Sequence, residues 1–194
     1  MIPITVADYA ALAVGFARCD ISKTGARHWR AQSCAPLATL RFDQASGQNV
    51  DFDQSAGVVG QRHVQGSLYV ALDNALDEAR IVLRPSMDSG HPHAASRPYL
   101  IDSRWQVSHV KVKDKDVEFR AQGYGGGQMQ WQFPRAGSVT VNVRSEEQIE
   151  WAKRVETDKE GLLQLDFPVN GMAGVLVSLE WEEGIKRKSE GTAL

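Results

Sequence analysis

The chain has 194 residues, a hydrophobic content of 42% and a formal net charge of −2. That length suits one domain with a real core. The near-neutral balance gives nucleic-acid binding no electrostatic support, and no apolar run is long enough to span a bilayer.

No signal peptide opens the chain, although the chain can be one segment of a longer exported protein. The first expected element is a helix over residues 1–16. Thr5 stands as its cap with Asp8 three residues on, a capping box with Asp in place of Glu. Val6, Tyr9, Ala10, Ala13 and Phe16 form an apolar stripe at helical spacing, and Gly15 weakens the end.

Residues 17–183 read as β. Residues 17–22 and 28–32 form a hairpin around Thr24-Gly25. Cys19 and Cys34 fall at the strand edges flanking it. A disulfide is open to them if the strands pair, but two buried free thiols are the expectation while the compartment is unknown. Residues 37–42 alternate, with Leu40 and Phe42 on one face. Residues 43–55 form a polar loop. Residues 67–73 set Leu68, Val70 and Leu72 against Tyr69 and Ala71. Residues 75–78 read as a helical turn, and residues 80–84 as an apolar strand closed by Pro85. Residues 86–96 form a loop rich in Ser, Gly, His and Pro. Strands over 99–102, 106–112, 117–123, 128–133, 138–144, 162–167 and 175–181 complete the domain. The tail over 184–194 is charged, lacks an apolar pattern and is expected to be disordered. About ten short strands with turn signals between them argue for an all-β fold. The expected architecture is an antiparallel, jelly-roll-like β-sandwich with one short N-terminal helix.

The segment from Val117 to Phe133, VEFRAQGYGGGQMQWQF, carries the candidate site. Strand side chains alternate with a period of two. Val117, Phe119 and Ala121 take one face; Arg120, Gln122 and Tyr124 take the other. Gly125, Gly126 and Gly127 suit a tight turn. Folding about Gly126 sets Ala121 opposite Trp131 and Phe119 opposite Phe133. The same register pairs Arg120 with Gln132, Gln122 with Gln130, and Tyr124 with Gln128. The outward face would then present guanidinium and amide groups to the hydroxyls and N-acetyl groups of a sugar. A solvated sheet face is the plain alternative.

Other chemistry has weaker support. His91 and His93 have Asp88 as their nearest carboxylate and lack further ligands. Asp43, Asp51 and Asp53 are too few for a calcium site. Nucleophile, zinc-protease and Walker motifs are absent from the sequence. No metal site, catalytic residue or cofactor is expected. Among the tryptophans, Trp29, Trp131 and Trp181 are expected in the core, Trp105 at a rim and Trp151 exposed.

Three segments, PITVADYA, GVVGQRHVQGSLYVALD and RPYLIDSRWQVSHVKV, resemble the C-terminal β-rich region of Pel-type exopolysaccharide deacetylases. Pro3 and Tyr9 match the end of the preceding barrel. Gly57, Val58, Gly60 and Tyr69 match a Gly-Val-x-Gly segment and the strand after it. Pro98, Tyr99 and Leu100 match a Pro-Tyr-Leu. The family's metal-binding Asp and paired His at helical spacing have no counterpart, and His91 and His93 do not fit that spacing. The resemblance therefore implies an accessory domain of a periplasmic or secreted, biofilm-associated protein. It would bind or position an amino-sugar polysaccharide beside an upstream catalytic domain of the same chain. The alternative is a docking domain that braces that barrel or contacts another secretion protein. An exposed apolar patch on the N-terminal helix would favour docking. Neither reading involves nucleic acid or membrane insertion.

Overall fold

The computed structural model describes residues 6–35, 39–86, 96–145, 149–171 and 174–182. One helix, α1 (Val6–Arg18), is followed by β1 (Asp20–Gly25), β2 (His28–Gln32), β3 (Thr39–Phe42), β4 (Gln48–Val50) and β5 (Val58–Val64). Next come β6 (Ser67–Leu72), β7 (Glu78–Pro85), β8 (Tyr99–Ser103), β9 (Gln106–Lys113) and β10 (Asp116–Gln122). The chain continues with β11 (Tyr124–Gln132), β12 (Ser138–Arg144), β13 (Ile149–Glu156), β14 (Leu162–Gly171) and β15 (Val175–Glu182). The all-β sandwich with a short N-terminal helix is the class the alternation predicts. The proposed cap Thr5 and the tail over 184–194 lie outside the described residues.

The strands form three sheets: β1-β2-β7-β4, β13-β12-β15-β10-β9 and β14-β11-β8-β5-β6-β3. The six-stranded sheet is the middle layer. On one of its faces Leu100, Met129 and Trp131 pack with Val117, Phe119 and Val177 of the five-stranded sheet. On the other, Leu68, Val70 and Leu72 pack with Val50, Ile81 and Leu83 of the four-stranded sheet. Tyr99 belongs to the second core and its neighbour Leu100 to the first, as alternation on a doubly covered strand requires. β5 and β8 run parallel through Gly60 and Leu100. A Cβ at Gly60 would stand 2.0 Å from the Leu100 carbonyl oxygen, so only glycine permits this approach.

The 117–133 segment is not a hairpin. β10 pairs with β9 and β15, whereas β11 pairs with β8 and β14. The two strands lie in different sheets, and their apolar faces meet across the core. The Phe119 and Trp131 ring centroids are 5.0 Å apart. Period-two alternation is the same whether two apolar faces lie side by side or face to face, so pattern alone does not choose. The glycines are not the turn either, because Gly125–Gly127 lie within β11. Gly123 and Gly127 instead make room for the Trp105 indole. A Cβ on them would lie 2.2 Å and 2.5 Å from its ring atoms.

That explains why Trp105 is buried rather than at a rim; it also stacks on Phe167 at 5.2 Å. Trp131 is fully buried as expected. Trp29 is half-buried and meets Phe42 edge-on at 5.1 Å. Trp151 is half-buried, 5.9 Å from Phe167, and not exposed. Trp181 is half-buried, with Lys115 Nζ 3.9 Å and Arg135 Cζ 4.8 Å from its ring centroid.

Cys19 and Cys34 are joined in a disulfide, so the expected free thiols are corrected. The β1–β2 ladder ends at Asp20 and Gln32 and brings both residues to its mouth. Ser33 would be next in line opposite Cys19, but its φ of 53° turns the chain there and Cys34 meets Cys19. The hairpin turn is Ala26-Arg27, because Gly25 still pairs with His28. The expected helical turn over 75–78 is a hydrogen-bonded turn that closes from Leu76 N to the Asp73 carbonyl and leads into β7.

Candidate functional site

The predicted polar face is divided between two layers. Arg120 and Gln122 are exposed on the five-stranded sheet, Gln128 on the six-stranded sheet. Because the apolar faces of β10 and β11 look at each other, their polar faces look away from each other. Gln128 Nε2 donates to Asp166 Oδ1 at 3.2 Å. Gln130 is half-buried beside Asp102 and Gln164. Gln132 is buried, and its Nε2 donates to the carbonyls of Phe133 at 2.9 Å and Glu160 at 2.6 Å. It ties the end of β11 to the turn before β14 and is not a surface group. The side chain of Tyr124 lies outside the described part. The five described side chains of the six therefore do not form one surface.

The metal candidates divide similarly. Asp88, His91 and His93 lie outside the described residues. Asp51 accepts hydrogen bonds from the backbone N–H groups of Asp53 and Gln54 and from the Gln54 amide, so its oxygens close a turn. Asp53 accepts from the Ser96 hydroxyl, and Asp43 pairs with Arg41 at 2.7 Å. Among the described residues, no group of three or more His, Cys, Asp or Glu is gathered for a metal.

A different place has the shape of a site. The six-stranded sheet is wider than the five-stranded sheet over it, and the overhang leaves a cleft of about 310 Å³ beside β9. That volume is at the lower end of the range for small-ligand sites, about 300–1,000 Å³. Val59, Ala71 and Leu100 form an apolar floor, and Trp105 and Val107 line the wall. Tyr69, half-buried on β6, also lines the cleft. Its register partners are Arg41 on β3 and Arg62 on β5. The Arg41 guanidinium carbon is 5.8 Å from the Tyr69 ring centroid. Arg62 Nη1 donates to Asp102 Oδ2 at 2.6 Å. Thr39, Ser103 and Gln106 complete the polar rim.

The sheet geometry explains this grouping. Leu68, Val70 and Leu72 turn into the second core, so Tyr69 and Ala71 must face the other way. β3 and β5 flank β6 in register and deliver one arginine each beside the tyrosine. The available signal was the alternation of residues 67–73, which placed Tyr69 and Ala71 on their shared face. The arginines belong to neighbouring strands, and only the register joins them to it.

Beneath the cleft, on the sheet's other face, Tyr99 stacks on Phe52 at 4.8 Å, and the Arg97 guanidinium carbon lies 5.5 Å from the Phe52 ring centroid. Burial pushes the Tyr99 phenol above its ordinary pKa, against smaller opposing effects from the Gln61 hydrogen bond and the Arg84 charge.

No protein-family model matches the chain, and no curated protein matches it in sequence. The likeness to Pel-type deacetylase regions therefore rests on the residues quoted for it.

Proposed function

We propose that this chain is a non-catalytic module that binds and positions a saccharide chain, with the cleft around Tyr69 as its site. The observation that carries the reading is the pairing of a half-buried aromatic side chain with an apolar floor and a polar rim. The C–H face of a pyranose suits Tyr69, Ala71 and Leu100. Sugar hydroxyls suit Arg62, Asp102, Gln106 and Thr39. The site therefore differs from the polar face expected over 117–133. The disulfide supports an oxidising compartment, periplasmic or secreted. An amino-sugar polysaccharide beside a neighbouring deacetylase or hydrolase is the partner that the family resemblance suggests.

Affinity for one chain is expected to be weak, on the order of millimolar to micromolar, because each hydrogen bond exchanged with water nets only about 1 kcal/mol. The test is a titration with amino-sugar oligosaccharides followed by amide chemical shifts. Shifts should cluster at Tyr69, Ala71 and Gln106, and Tyr69→Ala should abolish them without unfolding the protein. Shifts centred on Arg120 and Gln122, or unchanged binding in Tyr69→Ala, would discard the cleft.

Helix α1 favours a second reading, a docking domain that braces a catalytic barrel. Tyr9 is 70% exposed and Phe16 is 76% exposed, one above the other at a spacing of seven. The coding frame upstream of Met1 tests this. A continuous frame encoding a barrel would supply the partner, and a stop codon directly before Met1 would remove it.

A further inference from the structure

We infer that the cleft selects uncharged pyranose units over sugars that carry a carboxylate or a free amine. This rests on the saccharide-binding reading above and goes further, to the chemical class of ligand. Fifteen of the described residues line the cleft, and among these only Arg62 and Asp102 are charged. They are bound to each other at 2.6 Å, each about half exposed. Arg41, beside Tyr69, is engaged by Asp43 at 2.7 Å and by the Ser67 hydroxyl at 3.3 Å. Among the described residues, the cleft thus holds no uncompensated charge.

The consequence follows from what each ligand must displace. A uronate carboxylate would have to compete with Asp102 for Arg62. A glucosamine ammonium would have to compete with Arg62 for Asp102. Either exchange leaves one protein charge without its partner, and a charged ligand that takes only the free edge of the pair sits beside the like charge of Asp102 or Arg62; both cost more as the ligand excludes water from the cleft. A neutral hydroxyl or N-acetyl group displaces nothing. It can accept from the remaining Arg62 N–H groups and donate to the second Asp102 oxygen, so the intact ion pair acts as a donor–acceptor platform.

Three matched probes test this: trimers of N-acetylglucosamine, of glucosamine and of galacturonic acid. Each is titrated into the full chain, with amide shifts locating the site. The neutral trimer is expected to bind in the cleft at least tenfold more tightly than either charged trimer. Asp102→Asn should move the preference about tenfold toward the galacturonate trimer, and Arg62→Gln toward the glucosamine trimer. The pair is on the surface and contributes little to stability, so both variants should fold, which circular dichroism would verify. A charged trimer that binds in the cleft as tightly as the neutral one overturns this inference and leaves the saccharide reading standing. Unchanged preference in both folded variants also overturns it. If no trimer perturbs the cleft, the inference and the saccharide reading fall together.

Discussion

Trp131 is fully buried and meets Phe119 from the opposite sheet, so it joins the two layers of the first core. Trp131→Ala would leave a large void there and should cost about 3–5 kcal/mol. A urea titration checks this, and an unchanged midpoint would require the indole to face solvent. Tyr99 offers a test by pH. Its folded-state pKa is raised chiefly by burial, so the folded protein favours the protonated phenol more than the unfolded chain does. That stabilisation is complete below the ordinary tyrosine pKa of about 10 and is lost as pH rises through the folded-state value. The unfolding midpoint should fall above pH ~10, and less steeply in Tyr99→Phe. Equal slopes in the two proteins would mean that Tyr99 ionises as freely folded as unfolded.

Among the strands, β9 has an unusual anchor. His109 sits at a φ of 55° within it, and the buried Asp73 carboxylate accepts from the backbone N–H of His109 at 2.9 Å and of Val110 at 2.7 Å. The strand is irregular there because a side chain from the end of β6 takes the place of a ladder partner. Asp73→Ala strands both donors and should cost about 1–3 kcal/mol. Hydrogen exchange should show these two amides losing protection before the rest of β9, and uniform protection would remove the anchor. The same scale shows why some elements were legible in the sequence. Leu68, Val70 and Leu72 alternate with Tyr69 and Ala71, and β6 is buried in that pattern. By contrast, β5 carries Gln61, Arg62 and His63, and β13 carries Lys153 and Arg154. Consecutive residues are exposed in both stretches, so no period-two alternation marks either as a strand.

At the level of the whole molecule, the disulfide fastens the N-terminal helix and β1 to the chain beyond β2. It closes a loop of 15 residues, for which reduction should lower stability by about 3 kcal/mol. Because the first core contains neither cysteine and the second holds Cys34 among many other apolar side chains, the reduced protein should keep its strand content by circular dichroism. Collapse of the spectrum on reduction would show that the four-stranded sheet depends on the cross-link. Alternation, turn residues and the single apolar stripe of α1 were enough to establish an all-β chain with one helix, because those signals are local and each strand carries its own. The sequence also held the inward-facing residues of β10 and β11, Val117, Phe119, Ala121 and Trp131. It did not contain the sheet to which each strand belongs. That choice depends on which apolar faces fill one another's space, a property of the packed layers, and it turned an expected hairpin into two walls of a core. The cleft has the same origin. Arg41, Tyr69, Arg62 and Asp102 come from four strands, and only the register of the six-stranded sheet and the overhang beyond β9 bring them together.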